Sequence, residues 1–278
     1  MSKAIEFYVE QAQELCVLPD VYLKLKQKLS EPDATLGEIA TLISLEPALS
    51  SKLLKIANSA LFGFPKEVAS IDKALMILGL REVENLVNAY GVTAAFSGVD
   101  KQIADMDRLW EISVDCALMT KYLADEIGLK NSDSLFLSGL FHNIGALVLV
   151  HHEPQKIKYC EQYTKEDTPW ERQLDVFGFT YSECSAALLA SWQLPEAIIE
   201  PLRNYRHAYQ EELDQQASLL FVTTRLALVS SHPGMYSKKA FVGQHLMQDL
   251  GLTDQHLDDA LAYCSAQAME IMSILEVI

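Results

Sequence analysis

Histidine and cysteine are the residues here best suited to holding a metal or attacking a substrate, and their spacing permits little of either. The five cysteines, Cys16, Cys116, Cys160, Cys184 and Cys264, stand too far apart for a zinc or redox motif, and their number is odd. They read as buried thiols of a reducing compartment. Among the seven histidines are His142, followed directly by Asn143, the adjacent pair His151-His152, and His207. A divalent ion that activates water needs several ligands, with carboxylates among them to offset its charge. His142 and Asn143 supply one imidazole and one neutral amide. A cluster of His142 with His207 stays open from residue types alone, but it lacks a carboxylate. There is no Gly-rich phosphate loop, no Gly-x-Ser-x-Gly elbow and no Cys/His arrangement at motif spacing.

The elements that must position these residues are helical. Thr35-Leu36-Gly37-Glu38 has the form of a capping box, and Leu36, Ile39, Ala40 and Ile43 follow at helical spacing. Pro47 suits the first turn of the next helix. Leu49, Leu53, Ile56 and Ala60 line one face of it, and Gly63 and Pro65 end it. Asn58-Ser59 reads as a C-cap, or as a contact surface. Ser70 opens a helix that Gly79 closes, because glycine enters the left-handed region without penalty. Another helix runs from about Asp107 to Ile127, with Trp110, Val114, Ala117, Leu118 and Leu123 inward. Ser132 or Asp133 then caps a helix over Leu135–Val150. It is apolar nearly all round, so it is expected at the centre, with His142 buried and neutral. Helices near 154–165, 169–177, 181–191, 195–209 and 212–231 follow, and two more in the tail. No stretch alternates with period two. The expected fold class is all-α, a multi-helix bundle.

Half of the 278 residues are apolar and 22% are charged, so the chain can bury a core. The formal net charge of −16 repels phosphate backbones. The best basic cluster, Lys24, Lys26 and Lys28, reads as one solvated helix face. Ile71–Tyr90 imitates a helix-turn-helix, yet Arg81-Glu82-Val83-Glu84-Asn85 offers one arginine beside two acids. No nucleic-acid partner is expected. No signal peptide opens the sequence, and the longest apolar stretch, Leu135 to Val150, is short for a membrane span. The expectation is a cytoplasmic protein with no membrane partner.

Two segments resemble a known family. The first runs from Leu42 through Glu46-Pro47 to Asn58-Ser59, followed by Ile71, Ala74 and Leu78-Gly79. The second is Ser138-Gly139-Leu140-Phe141-His142-Asn143-Ile144-Gly145. The first is similar to the signature half of the HDOD family, the HD-related output domains of bacteria, with Glu46 where aspartate is usual. The second resembles the Gly-Leu-Leu-His-Asp-Ile-Gly core of the HD phosphohydrolases. Phe177-Gly178, Tyr181 and Trp192-Gln193-Leu194-Pro195 also fit the output branch. The likeness covers roughly residues 13–210. It implies an HD-like core with an N-terminal helical half over 1–210; residues 211–278 lie outside the likeness and are expected to form a C-terminal helical extension packed on the same unit.

The resemblance also implies a metal site in the active relatives, built from an earlier histidine, the His-Asp pair and a distant aspartate. Here those positions carry Ile112, His142 with Asn143, and the Thr223-Thr224-Arg225 region. One ligand of four remains, which implies no metal, no cofactor and no catalysis. Glu46, Pro47, Asn58, Ser59, Gly79, Gly139 and Gly145 are then signature or structural positions. The implied function is signal output through contacts with unidentified signalling proteins, with room for a homodimer. The alternatives are a metal-dependent phosphohydrolase or nucleotidase with an atypical site, and a sensor of a small ligand, such as a nucleotide, using the vestigial pocket.

Overall fold

The computed structural model describes residues 3–59, 62–63, 67–97, 105–207 and 214–275. In chain order its helices are α1 Lys3–Leu15, α2 Asp20–Leu29, α3 Leu36–Ser44, α4 Pro47–Ala57, α5 Ile71–Leu78 and α6 Leu80–Ala95, then α7 Met106–Glu126, α8 Ser132–Phe141, α9 Gly145–Val150, α10 Pro154–Cys160, α11 Pro169–Phe177 and α12 Tyr181–Ser191. There follow α13 Glu196–Asn204, α14 Gln215–Ser231, α15 Lys238–Val242, α16 Gln244–Asp249 and α17 Asp254–Leu275. Among the described residues there is no strand, so the class is all-α as expected.

The chain forms two compact units. One comprises Met1–Leu15 and Val99–Ala268, the other Cys16–Gly98 and Met269–Ile278. Residues 214–268 therefore belong with the helices around α8, whereas the last turns of α17 belong with α2 to α6.

In the smaller unit the capping box forms as its spacing predicts. Glu38 N donates to Thr35 Oγ1 at 3.3 Å, and Thr35 N donates back to Glu38 Oε2 at 3.0 Å. Pro47 is the first residue of α4 and Glu46 is its N-cap position. The helix stops at Ala57, earlier than Gly63 and Pro65 suggested, because Asn58 ends it. Ala60 and Pro65 lie outside the described residues. Asn58 Nδ2 donates to Leu54 O at 2.8 Å and to Val68 O at 2.9 Å, while Val68 N donates to Asn58 Oδ1 at 2.8 Å. One amide thus closes α4 and holds the backbone at Val68, ahead of α5. Ser59 is buried and donates to Ile56 O at 2.7 Å. Ser70 caps α5, and Gly79 stands between α5 and α6 at φ 79°. Lys52, buried, donates to Leu275 O at 2.8 Å and lies 5.5 Å from the Tyr90 ring centroid, tying the end of α17 to α4. Of the residues that imitate a recognition helix, Asn85 is buried.

Asn58→Ala removes three hydrogen bonds at a residue that keeps solvent contact. The expected loss is about 1–2 kcal/mol. Denaturant unfolding checks it; an unchanged midpoint would mean that water replaces the amide without cost.

In the larger unit α8 is the central element. Ser134, Leu135 and residues 137–141 are all buried, and α7, α13 and α14 pack around them. The apolar stretch 132–150 is long enough to cross a membrane by length and composition, but 83% of its most apolar window is buried inside the protein. Trp110, Val114, Ala117, Leu118 and Leu123 all face inward on α7. Gly139 lets α7 and α8 meet backbone to backbone. A Cβ there would lie 2.7 Å from Ala117 Cα. Polar cross-ties reinforce the packing: Ser138 Oγ donates to Ile198 O at 2.8 Å, and the Thr120 and Thr223 hydroxyls meet at 2.7 Å.

One expected element is corrected. Leu135–Val150 is not a single helix. It breaks at His142–Ile144, and α8 begins one turn earlier than Leu135, with Asn131, in the left-handed region at φ 67°, at the N-cap position instead of Ser132 or Asp133. Asp133 instead receives the Lys121 ammonium. Each of the five cysteines is buried as a free thiol.

Candidate functional site

The break between α8 and α9 is built by side chains. His142 Nδ1 donates to Gly139 O at 2.7 Å, a carbonyl that would serve the Asn143 amide in an unbroken helix. Ser185 of α12 supplies the other partners. Gly145 N donates to Ser185 Oγ at 2.8 Å. The serine proton is within reach of Tyr181 O at 2.9 Å and His142 O at 3.3 Å. Shorter-range bonds, Ile144 N to Phe141 O at 3.2 Å and Ala146 N to Asn143 O at 3.0 Å, carry the chain through the turn. Gly145 is obligatory here, since a Cβ would lie 2.1 Å from Tyr181 O.

This turn forms one wall of a cavity of about 40 Å³. Ile112 of α7, His142, Asn143 and Thr224 of α14 all line it. Four positions separated by up to 112 residues in sequence therefore converge, and Thr224 marks where the region Thr223–Arg225 enters. Its neighbour Thr223 turns to Thr120 instead. His207, His151 and His152 do not line the cavity, and all three are exposed. The sequence did not single out the remaining polar lining: Asp105, Glu161, Gln173 and Tyr181.

His142 is 3% exposed. Burial in an apolar wall pushes its pKa down to about 4, against a smaller opposing effect of the Gly139 carbonyl. It is therefore a neutral imidazole at pH 7. With Nδ1 as the donor, Nε2 is left as a lone-pair acceptor. Glu161 behaves oppositely. Desolvation by the surrounding protein raises its carboxyl to about 7, Arg108 lowers it in part, and Asp105 raises it further. Its residue surface is nevertheless solvent-exposed, so the push is weaker than a sealed group would feel. Tyr181 is 2% exposed; its hydroxyl meets no group at full hydrogen-bond geometry, although Glu161 and Cys160 lie near enough to act on it. Its N–H is held by Gln173 Oε1 at 2.9 Å.

The residues present do not fit a catalytic divalent metal. At the converging positions an imidazole stands with an isoleucine, an amide and a hydroxyl. Asp105 and Glu161 line the same cavity, but among the described residues no three His, Cys, Asp or Glu side chains are placed to hold one ion.

A buried acid lies elsewhere in this unit. Asp115 of α7 accepts from the Cys264 thiol at 3.1 Å, and burial raises its pKa. It does not reach the cavity lining.

Comparison with known proteins agrees with this architecture. An uncharacterized protein of Treponema pallidum (strain Nichols) is 30% identical over 213 residues, which are 73% of this chain but only 40% of that protein. A crystal structure of a Shewanella amazonensis SB2B protein, provisionally named a phosphohydrolase, superposes with a TM-score of 0.76 at 23% identity, covering 99% of this chain and 98% of that one. An HDOD domain protein of unknown function from Geobacter sulfurreducens gives a TM-score of 0.68 at 21% identity, covering 99% of each chain. At these identities the structures share the fold. The family model for the HDOD domain matches residues 15–208, well over half of the chain, and the chain belongs to the HDOD domain family.

Proposed function

We propose that this chain is a non-catalytic signal-output module that acts through protein–protein contacts in the bacterial cytoplasm. The observation that supports the reading is the composition of the cavity wall at Ile112, His142, Asn143 and Thr224. Hydrolysis of a phosphate ester by metal needs an ion held firmly enough to lower the pKa of its water. A single neutral imidazole among an aliphatic side chain, an amide and a hydroxyl offers no such hold. In this reading residues 1–210 carry the family-like domain and 211–278 extend it. Glu46, Pro47, Asn58 and Ser59 keep the architecture of the N-terminal half. The partners are signalling proteins met in trans, and self-association into a homodimer is compatible with the reading.

Two experiments test it. Titration of Mn²⁺ into the purified protein should show no stoichiometric heat, and nucleotides, cyclic dinucleotides and phosphate esters should stay intact with Mn²⁺ or Mg²⁺ present. Metal-dependent turnover that disappears in His142→Ala would sink the non-catalytic half. Cross-linking in native cells should yield discrete signalling proteins. A chain that cross-links to nothing, or to itself alone, would sink the output half.

A further inference from the structure

The cavity carries a set of polar groups unrelated to the four converging positions, and their chemistry selects a ligand. Its lining contains no Lys or Arg and two carboxylates, Asp105 and Glu161. Asp105 is partly committed as the cap of α7, accepting from Arg108 N at 3.1 Å. Glu161 feels Arg108 at a distance but has no cation seated on it among the described residues. Two deeply buried side chains bring unused polar atoms to the same space. His142 Nε2 takes no hydrogen bond once Nδ1 is committed to Gly139 O. The Tyr181 hydroxyl, close to Glu161, meets no group at full hydrogen-bond geometry. A buried polar atom left unpaired costs free energy, so the Tyr181 hydroxyl calls for an occupant, and His142 Nε2 offers that occupant an acceptor.

The classes of occupant can be separated. Phosphate and other anions meet two carboxylates and no lining cation. A multivalent metal finds no three suitable ligands among the described residues. A purely apolar molecule leaves His142 Nε2 and Tyr181 unsatisfied. A nucleotide does not fit about 40 Å³, which is room for only a few water-sized groups. What remains is small, cationic and rich in N–H donors.

We propose that this cavity binds a small primary ammonium ion of one to three carbons, whose N–H groups donate to His142 Nε2 and the Glu161 carboxylate and whose carbons rest against Ile112 and Ile157. The Tyr181 hydroxyl then completes the ring of polar groups around the ammonium. This goes beyond the output reading and stands whichever partner the module meets. Water alone fills such a space in many proteins, so the test must separate an ammonium ion from water.

The probes are methylammonium and ethylammonium chloride, titrated calorimetrically, with tetramethylammonium chloride and sodium phosphate as contrasts. A ligand of two or three heavy atoms reaches a dissociation constant on the order of 1 mM at best. The wild-type protein should show saturable binding in that range for the two primary ammonium ions. Tetramethylammonium, which has charge but no N–H, and phosphate should not bind. Glu161→Gln, an isosteric change at the solvent-facing mouth, should weaken binding at least tenfold. In the wild-type protein the Nε2 resonance of His142 should move as methylammonium is added, a readout that survives if the variant fails to fold. Absence of saturable binding, equal affinity in Glu161→Gln, a His142 resonance unmoved at saturation, or preference for phosphate would each overturn the proposal.

Discussion

Gly145→Ala is expected to destabilise the protein by about 3 kcal/mol or more, among the larger single-methyl effects available to this fold. The added Cβ would lie 2.1 Å from Tyr181 O and 2.9 Å from both Tyr181 C and Cys184 Cβ. Two of these are backbone atoms at the start of α12, so they cannot rotate aside as the end of a side chain can. Relief requires α9 and α12 to separate, and that breaks the Gly145–Ser185 hydrogen bond as well. Gly37→Ala is the control. A Cβ there meets nothing within 4 Å, and alanine favours a helix over glycine. That change should be neutral or stabilising by up to about 1 kcal/mol. Denaturant midpoints of the two variants measure the contrast, and similar midpoints would show that the α9–α12 approach is softer than its distances imply.

The second large effect is a pH dependence. His142 titrates near 4 in the folded protein, against an ordinary value of 6.5. The unfolded chain therefore binds a proton on the way down from neutrality that the folded chain refuses. Stability from this residue is intact above pH 6.5 and is lost as the pH falls toward 4, by about 3 kcal/mol in all. Glu161 and Asp115 work the other way. Burial raises both carboxyls, so the folded protein takes up their protons first and gains as the pH falls. The total curve is flatter than the histidine alone would make it, and the clean readout is a difference. Stability measured at pH 7 and pH 4.5 should fall less in His142→Gln than in wild type. Equal losses would mean that the imidazole accepts its proton inside the fold, through water reaching Nε2.

Local signals were the ones legible in the sequence. The Thr35–Glu38 capping box is a four-residue device, and its spacing alone specifies it. The same pattern recurs at Thr168–Glu171 and Thr180–Glu183, and both form boxes in the structure; reading them would have sharpened the starts of α11 and α12. The break at His142–Ile144 was not legible, because hydrophobicity runs unbroken through it. The group that stabilises the break is Ser185, forty residues downstream. Glu161 escaped for a similar reason: as a charged residue after a short helix it looks like ordinary surface. Its raised pKa comes first from desolvation in the folded protein, with Arg108 and Asp105 as opposing charges, and only the tertiary fold brings these about. Ile112, His142 and Asn143 were set side by side by resemblance to a family, and no spacing rule links position 112 to 142.

The serine that bridges α9 and α12 also sets how this region can come apart. In an ordinary helix the first turn frays alone, since its amides lose only solvent-facing neighbours. The Gly145 amide has instead given its proton to a hydroxyl on another helix, and that hydroxyl lies within reach of the His142 and Tyr181 carbonyls. Opening α9 by itself would strand several buried polar groups at once. The smallest cooperative unit here is therefore α9 together with the start of α12, and the His142 turn moves with both or not at all.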